Sequence, residues 1–292
     1  MTLQAISAGS SSSAPPEAGA SAPPPVARPV PQRSLFWRLV VRPPLVLPVL
    51  TFVTILIVWE AAVALFSIPS FILPAPSRIA TGFESLTWAR WWQHIGATLQ
   101  VALIGYVISI LVALPLAVAL TRSEVVNKAL YPILVVIQST PVVAVAPIII
   151  VVMGSGTAPR VVITFLIAFF PLVVSTATGL LATPRELIEL SKSLRAPVWR
   201  EITQIRLPYA VPYIFAALKI SITLSVIGAV VAEFVAAERG LGFLIQFSTS
   251  MFRLPEAWAG LGVLLLMSLL LFQSVGLVQR LLFPWSLPKK GR

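Results

Sequence analysis

Six stretches of the 292-residue chain are apolar all round and long enough to cross a bilayer: Leu45–Phe66, Ile95–Thr121, Ala129–Met153, Val161–Ala182, Pro212–Ala232 and Ala257–Gln279. A helix rising 1.5 Å per residue needs about 20 apolar residues to traverse the hydrocarbon core. The pattern therefore predicts an all-α polytopic membrane protein with six transmembrane helices. Lys219 interrupts the fifth stretch. An ammonium at mid-bilayer costs about 2.5–3.5 kcal/mol, so this helix is expected to start outside the membrane and let Lys219 snorkel at the interface. Pro115, Pro132, Pro141, Pro147 and Pro171 lie inside spans. Each removes a backbone donor and is expected to kink its helix, as in the broken helices of transport paths.

The longest polar interruption runs from residue 183 to 208. Thr183, Pro184 and Glu186 have the spacing of a helix cap, a first-turn proline and a capping box. Leu187, Leu190 and Leu194 then recur on one face, and this helix is expected to end near Arg195. A second short helix is predicted from Ala196-Pro197, with Val198, Ile202 and Ile205 as its apolar stripe beside Trp199. Arg200, Glu201 and Gln204 are expected in water, and Pro208 and Pro212 should stop or bend the helix. Spacing alone leaves two readings equally open, a docking surface for a soluble partner and a merely ordered loop.

Composition narrows the chemistry. The chain is 58% apolar and 11% charged, whereas soluble domains carry about 25% charged residues. It has no Cys, all ten acidic residues are Glu, and His94 is the one His, which excludes disulfides, thiolate catalysis and Cys/His zinc sites. No Gly-x-x-x-x-Gly-Lys run is present to cradle a nucleotide phosphate. The net charge of +11 arises from Lys and Arg placed between apolar runs, so it reads as membrane orientation and not as a nucleic-acid surface. With the amino terminus inside, the cytoplasmic segments carry 16 of the 21 basic residues and the outer segments 5. Both termini and the 183–208 segment are therefore expected in the cytoplasm. Residues 1–33 are Ala/Ser/Pro-rich with little to bury. The expected division is a disordered tail over 1–40, a membrane domain over 41–285 and a basic tail over 286–292.

The 183–208 segment also carries a specific motif. Glu189, then Leu190-Ser191, three residues, Arg195, nine residues and Ile205-Arg206-Leu207-Pro208 match the spacing of the EAA loop of bacterial ABC importer permeases. "FILPAPSRI" (71–79), "VVAEFVAAERGLGFLI" (230–245) and "LLFPW" (281–285) look like the nitrate/sulfonate/taurine-type branch. "IQSTPVVAVAPIII" (137–150) is similar to permeases for riboflavin or pyrimidine precursors. The resemblance, over roughly residues 70–285, implies the type I ABC importer permease fold in the bacterial inner membrane. It implies a loop that couples to a separate ATP-binding subunit through Glu189, Leu190, Ser191, Arg195, Ala196, Ile205, Leu207 and Pro208. It further implies a second permease copy, expected as a homodimer in membrane lipid, and an extracytoplasmic solute-binding protein. ATP would be consumed by the partner subunit, with no cofactor and no catalysis on this chain. Arg195 departs from the family, which has Gly at that turn, so either the residue tolerates a left-handed conformation or the turn is built differently.

Residues expected along the path are Gln138 and Thr140, beside Ser139, in the third span, and Ser225 in the fifth, where Ser221 and Thr223 are its neighbours. Intramembrane hydroxyls more often bond their own backbone. Glu233, at the outer end of the fifth span, is the candidate for a gate or binding-protein contact. Glu60 reads as structural and His94 as a solvated interfacial residue. An ion-coupled secondary transporter or a non-transporting scaffold are the rival classes, although no acid or base stands at mid-span to support the former.

Overall fold

The computed structural model describes residues 46–287. The expected tail over 1–40 and most of the basic tail over 286–292 lie outside the described residues. Among the described residues the longer elements are α1 (Val46–Leu65), α2 (Pro76–Gly82), α3 (Trp88–Arg122), α4 (Glu124–Ser139), α5 (Val142–Met153) and α6 (Thr157–Leu181). They are followed by α7 (Arg185–Ser193), α8 (Val198–Arg200), α9 (Leu207–Ala236), α10 (Leu241–Ser250) and α11 (Leu254–Leu282). The chain divides into two units at Thr54, and the contacts described below lie within the unit that begins at Ile55.

Among the described residues, five helical runs are long and apolar enough to span: α1, α3, α6, the run Val198–Ala236, and α11. The sixth is a broken pair, α4 and α5, bent by 95°. The expected continuous span Ala129–Met153 is thus two half-helices. Proline drives its preceding residue out of the α region, and Thr140 before Pro141 is extended (φ −77°, ψ 124°). Pro141 then opens α5, its carbonyl accepting from Ala144 N at 2.8 Å. Pro115, Pro132, Pro147, Pro171 and Pro212 remain inside helices.

α6 packs between α3 and α9, burying Leu172 and Val173 with Ala113 and Ala217, and Ile163 with Ala232. Two glycines set the approach. A Cβ on Gly105 of α3 would lie 2.7 Å from Thr164 Cβ, and one on Gly228 of α9 would lie 2.8 Å from Thr164 Cα. Thr164 of α6 therefore touches both neighbours at near-backbone distance, the close approach that small residues permit in membrane bundles. Side chains add cross-links: Ser221 donates to Ala168 O at 2.9 Å and Tyr106 to Leu218 O at 3.2 Å.

Lys219 does not simply snorkel. Its Nζ donates to Gln279 Oε1 of α11 at 2.7 Å, and Gln279 Nε2 reaches Ser286 Oγ at 3.1 Å. The ammonium is thereby partnered in place, and it ties α9 to α11 and to the Pro284–Ser286 turn.

Candidate coupling and translocation site

α7 begins at Arg185, and the expected capping box does not form. Thr183 is buried and its hydroxyl donates back to Leu180 O at 3.2 Å, leaving Pro184 at the cap position without a side-chain bond. Glu186 still lies in the first turn, where the helix dipole favours a carboxylate.

The end of α7 resolves the question raised by Arg195. Its φ is +50°. Ala196 N bonds Ser191 O at 3.0 Å and Arg195 N bonds Lys192 O at 2.9 Å. This pair of bonds is a Schellman motif, with Arg195 at the position where Gly is favoured. The left-handed turn is kept and the arginine tolerates it, at about 1–2 kcal/mol of strain. Ser67 and Phe252 end α1 and α10 at positive φ in the same way.

Beyond this turn the chain does not stop. α8, one π-helical stretch (Glu201–Arg206) and α9 form a single run of 39 residues. Leu207 N bonds Ile202 O, five residues back. This widened turn lies directly before Pro208, where an α-helical ring would meet the carbonyl four residues earlier. The expected stop at Pro208 and Pro212 is thus absent: the helical run continues through both, and the widened turn accommodates Pro208.

The π stretch also creates the ion pair that holds the segment. Glu201, expected in water, is buried. Its Oε1 accepts from Arg206 Nε at 2.7 Å and lies 2.7 Å from Arg206 Nη2, with Arg122 of α3 at 4.0 Å. Residues five apart do not face each other on an α-helix, so regular periodicity gave no sign of this pair.

Against this pinned frame one surface is unpartnered. Leu190, Leu194, Val198 and Trp199 are 55%, 73%, 44% and 73% exposed. Glu189 and Arg195 are exposed too, and Ala196 and Ile205 are half-buried. Ser191 is turned inward and buried, its hydroxyl without a partner. Leu207 and Pro208 lie on the first turn of α9, both exposed.

At the α4–α5 elbow, Gln138, Ser139 and Thr140 are exposed. The hydroxyls of Ser139 and Thr140 donate back to Val135 O at 2.8 Å and Val136 O at 3.0 Å in the last turn of α4, while Ile137 O, which has no amide donor at Pro141, accepts from Thr140 N at 3.2 Å. Gln138 alone of the three has an uncommitted side chain there.

A family model described as "Binding-protein-dependent transport system inner membrane component" matches residues 105–286. The chain belongs to that family. The permease is 38% identical over 244 residues to the riboflavin transport system permease protein RibX of Chloroflexus aurantiacus, covering 83% of this chain and 91% of that protein. It is 32% identical over 238 residues to the formylaminopyrimidine transport permease protein ThiX of Halalkalibacterium halodurans, covering 82% and 95%. The taurine transport system permease protein TauC of Escherichia coli is 27% identical over 259 residues, covering 87% and 94%. Among solved structures, the inward-facing MetNI methionine ABC transporter matches with a TM-score of 0.58 at 20% identity, over 67% of this chain and 98% of that one. The protein is thus an ABC importer permease subunit, a multi-pass inner-membrane protein of the type I importer fold.

The remaining path candidates are turned inward within the permease. Ser225 is fully buried and donates to Ile222 O at 2.8 Å, the backbone bond that intramembrane hydroxyls favour. Glu233 is 1% exposed. Its Oε2 accepts from Gly242 N at 2.8 Å and Thr98 Oγ1 at 3.0 Å, while Thr98 Oγ1 accepts from Leu241 N at 2.8 Å. The carboxylate thus caps α10 from a neighbouring helix, with its Oε1 unpartnered. Gly240, at φ +135°, leaves the room: a Cβ there would overlap the Glu233 carboxyl group. His94 is not free in solvent but half-buried, its Nδ1 3.1 Å from Gly240 N, and it stacks on Phe243. His94 and Thr98 are one helical turn apart, so the spacing was the readable sign that both face one partner. Glu60 is structural as expected, accepting from Ser77 N at 3.0 Å and Ser77 Oγ at 2.7 Å at the start of α2.

Proposed function

We propose that the 183–208 segment is where this permease receives mechanical work from a separate ATP-hydrolysing subunit. One observation carries the reading. Four large apolar side chains, Leu190, Leu194, Val198 and Trp199, stand exposed on a segment that Glu201 and Arg206 hold in place. Apolar side chains grouped on a polar segment mark a partner interface. Glu189 and Arg195 supply the charged rim, while Ser191 and Ala196 pack the turn beneath it.

In this reading both termini and the segment are cytoplasmic, following the basic-residue bias. Two copies form a homodimer around the path, and Gln138 with Thr140 at the elbow face the solute. Hydrolysis and nucleotide binding belong to the partner, so the chain carries no catalytic residue and no cofactor. A binding protein outside delivers the solute. Relatives named for riboflavin, formylaminopyrimidine and taurine transport support a small organic solute. Screening ligands against the cognate binding protein by thermal shift identifies it.

The test is Leu194→Glu with Trp199→Ala, and separately Glu189→Lys. Each is expected to abolish uptake and co-purification of the ATPase subunit while the permease still inserts. Retained co-purification with all three changes would refute the assignment. An ion-coupled transporter would instead sustain uptake without any ATPase partner.

A further inference from the structure

The run from Val198 to Ala236 has 39 residues, about 58 Å at 1.5 Å per residue. That is nearly twice a hydrocarbon core of about 30 Å. Its two ends must therefore emerge on opposite sides of the membrane, the 183–208 segment at one and Ala236 at the other. At the Ala236 end lies an open cleft of about 760 Å³, lined by Gln93, Thr157, Arg160, Ala237, Glu238 and Arg239 among others. Three elements converge on it: the first turns of α3 and α6 and the chain leaving α9.

The cleft is built of donors. Among the described residues neither Arg160 nor Arg239 forms an ion pair. Arg160 Nε donates to Gly156 O at 2.8 Å, which anchors the guanidinium and leaves its terminal nitrogens uncommitted. The Gln93 amide and the Thr157 hydroxyl add neutral donors, and Glu238 is the one carboxylate on the rim. Two alanines form the helix-end wall. A site for a small organic solute is enclosed and mostly apolar. This one is open and polar, which suits a charged prong presented on a larger surface. Guanidinium groups favour carboxylates, which they bind through paired N–H donors.

We infer that this cleft receives an acidic side chain, Asp or Glu, from the solute-binding protein, and that α9 links that contact rigidly to the ATPase-facing segment. The inference rests on the proposed sidedness and partner, and it adds the docking residues and the chemistry they select. Opposite charge at such a rim acts mainly on association rate and salt dependence.

The experiment uses the full permease–ATPase complex in lipid nanodiscs and its cognate binding protein, with affinity measured against ionic strength. Arg239→Gln is expected to weaken binding about tenfold and flatten the salt dependence, Arg239→Glu to weaken it further, and Glu238→Gln to strengthen it. Arg160→Gln should act in the same direction as Arg239→Gln. Because Arg160 also holds the start of α6, Arg239, which has no such bond, is the deciding position. Co-purification of the ATPase subunit reports assembly throughout. If the parent complex binds and Arg239→Glu binds equally well, the docking inference is overturned while the importer reading stands. If the parent complex binds no outer protein, the partner reading itself fails. Inorganic sulfate that stabilises the parent but not Arg239→Gln, with binding-protein affinity unchanged in both, would make the cleft a free-anion site and also overturn the inference.

Discussion

At position 195, Gly should hold the coupling segment more tightly than Ala. At φ +50° a side chain with a Cβ sits against the following carbonyl, a strain of about 1–2 kcal/mol that Gly does not carry. Gly also gives the unfolded segment more freedom to lose, about 0.4–1 kcal/mol. The guanidinium near the end of α7 contributes a dipole interaction of about 0.3–1 kcal/mol, which Gly forfeits. Comparing Arg195→Gly with Arg195→Ala removes that last contribution, since neither variant is charged. The remaining difference favours Gly by about 0.5–1 kcal/mol. The Ala196 amide, bonded to Ser191 O at 3.0 Å, reports the turn directly. Its hydrogen-exchange protection in nanodiscs should be up to about fivefold higher in the Gly variant than in the Ala variant. Equal protection, or more in Arg195→Ala, would show that the left-handed turn is not the state populated in the membrane.

Three further outcomes follow from the packing. Arg206→Met leaves Glu201 as a buried, weakly partnered carboxylate and should destabilise the segment by about 3–5 kcal/mol, read as protease sensitivity between α7 and α9. Gly228→Leu drives a side chain into Thr164 and should separate α6 from α9; lower thermal stability in detergent checks this, whereas Gly96→Leu, with open space at its Cβ, should be neutral. Glu233→Ala strips the cap from α10 at a cost of about 1–2 kcal/mol. Glu233→Gln keeps an acceptor for Gly242 N and should recover most of it, with exchange protection at Leu241 and Gly242 as the measure.

Hydropathy located the spans well because the hydrocarbon core sets one length scale for all of them, and α1, α3, α6 and α11 contain or nearly match the expected stretches. The third span failed at one residue. Periodicity cannot distinguish a proline that a helix absorbs, such as Pro115, from one that ends it, such as Pro141. At Pro141 the decision lies with the extended backbone of Thr140 and with its amide, which closes the last turn onto Ile137 O. The coupling motif was legible by spacing, and the left-handed demand at Arg195 was legible because the family uses Gly there. The ion pair beneath it was not, since the π turn shifts neighbours from four residues to five. Glu233 was singled out as a gate or binding-protein contact because it opens a family-like segment, whereas the structure shows a buried acceptor at the start of α10. Its partners, Thr98 and Gly242, lie 135 and 9 residues away and emerge only from packing.

The elbow at Pro141 also constrains any conformational cycle. Merging α4 and α5 into one straight rod would put a proline, which has no amide hydrogen, in a helix interior, at a cost of about 3 kcal/mol or more. A cycle that straightened this span would have to meet that cost anew, so the 95° elbow is expected to persist while the bundle around it moves.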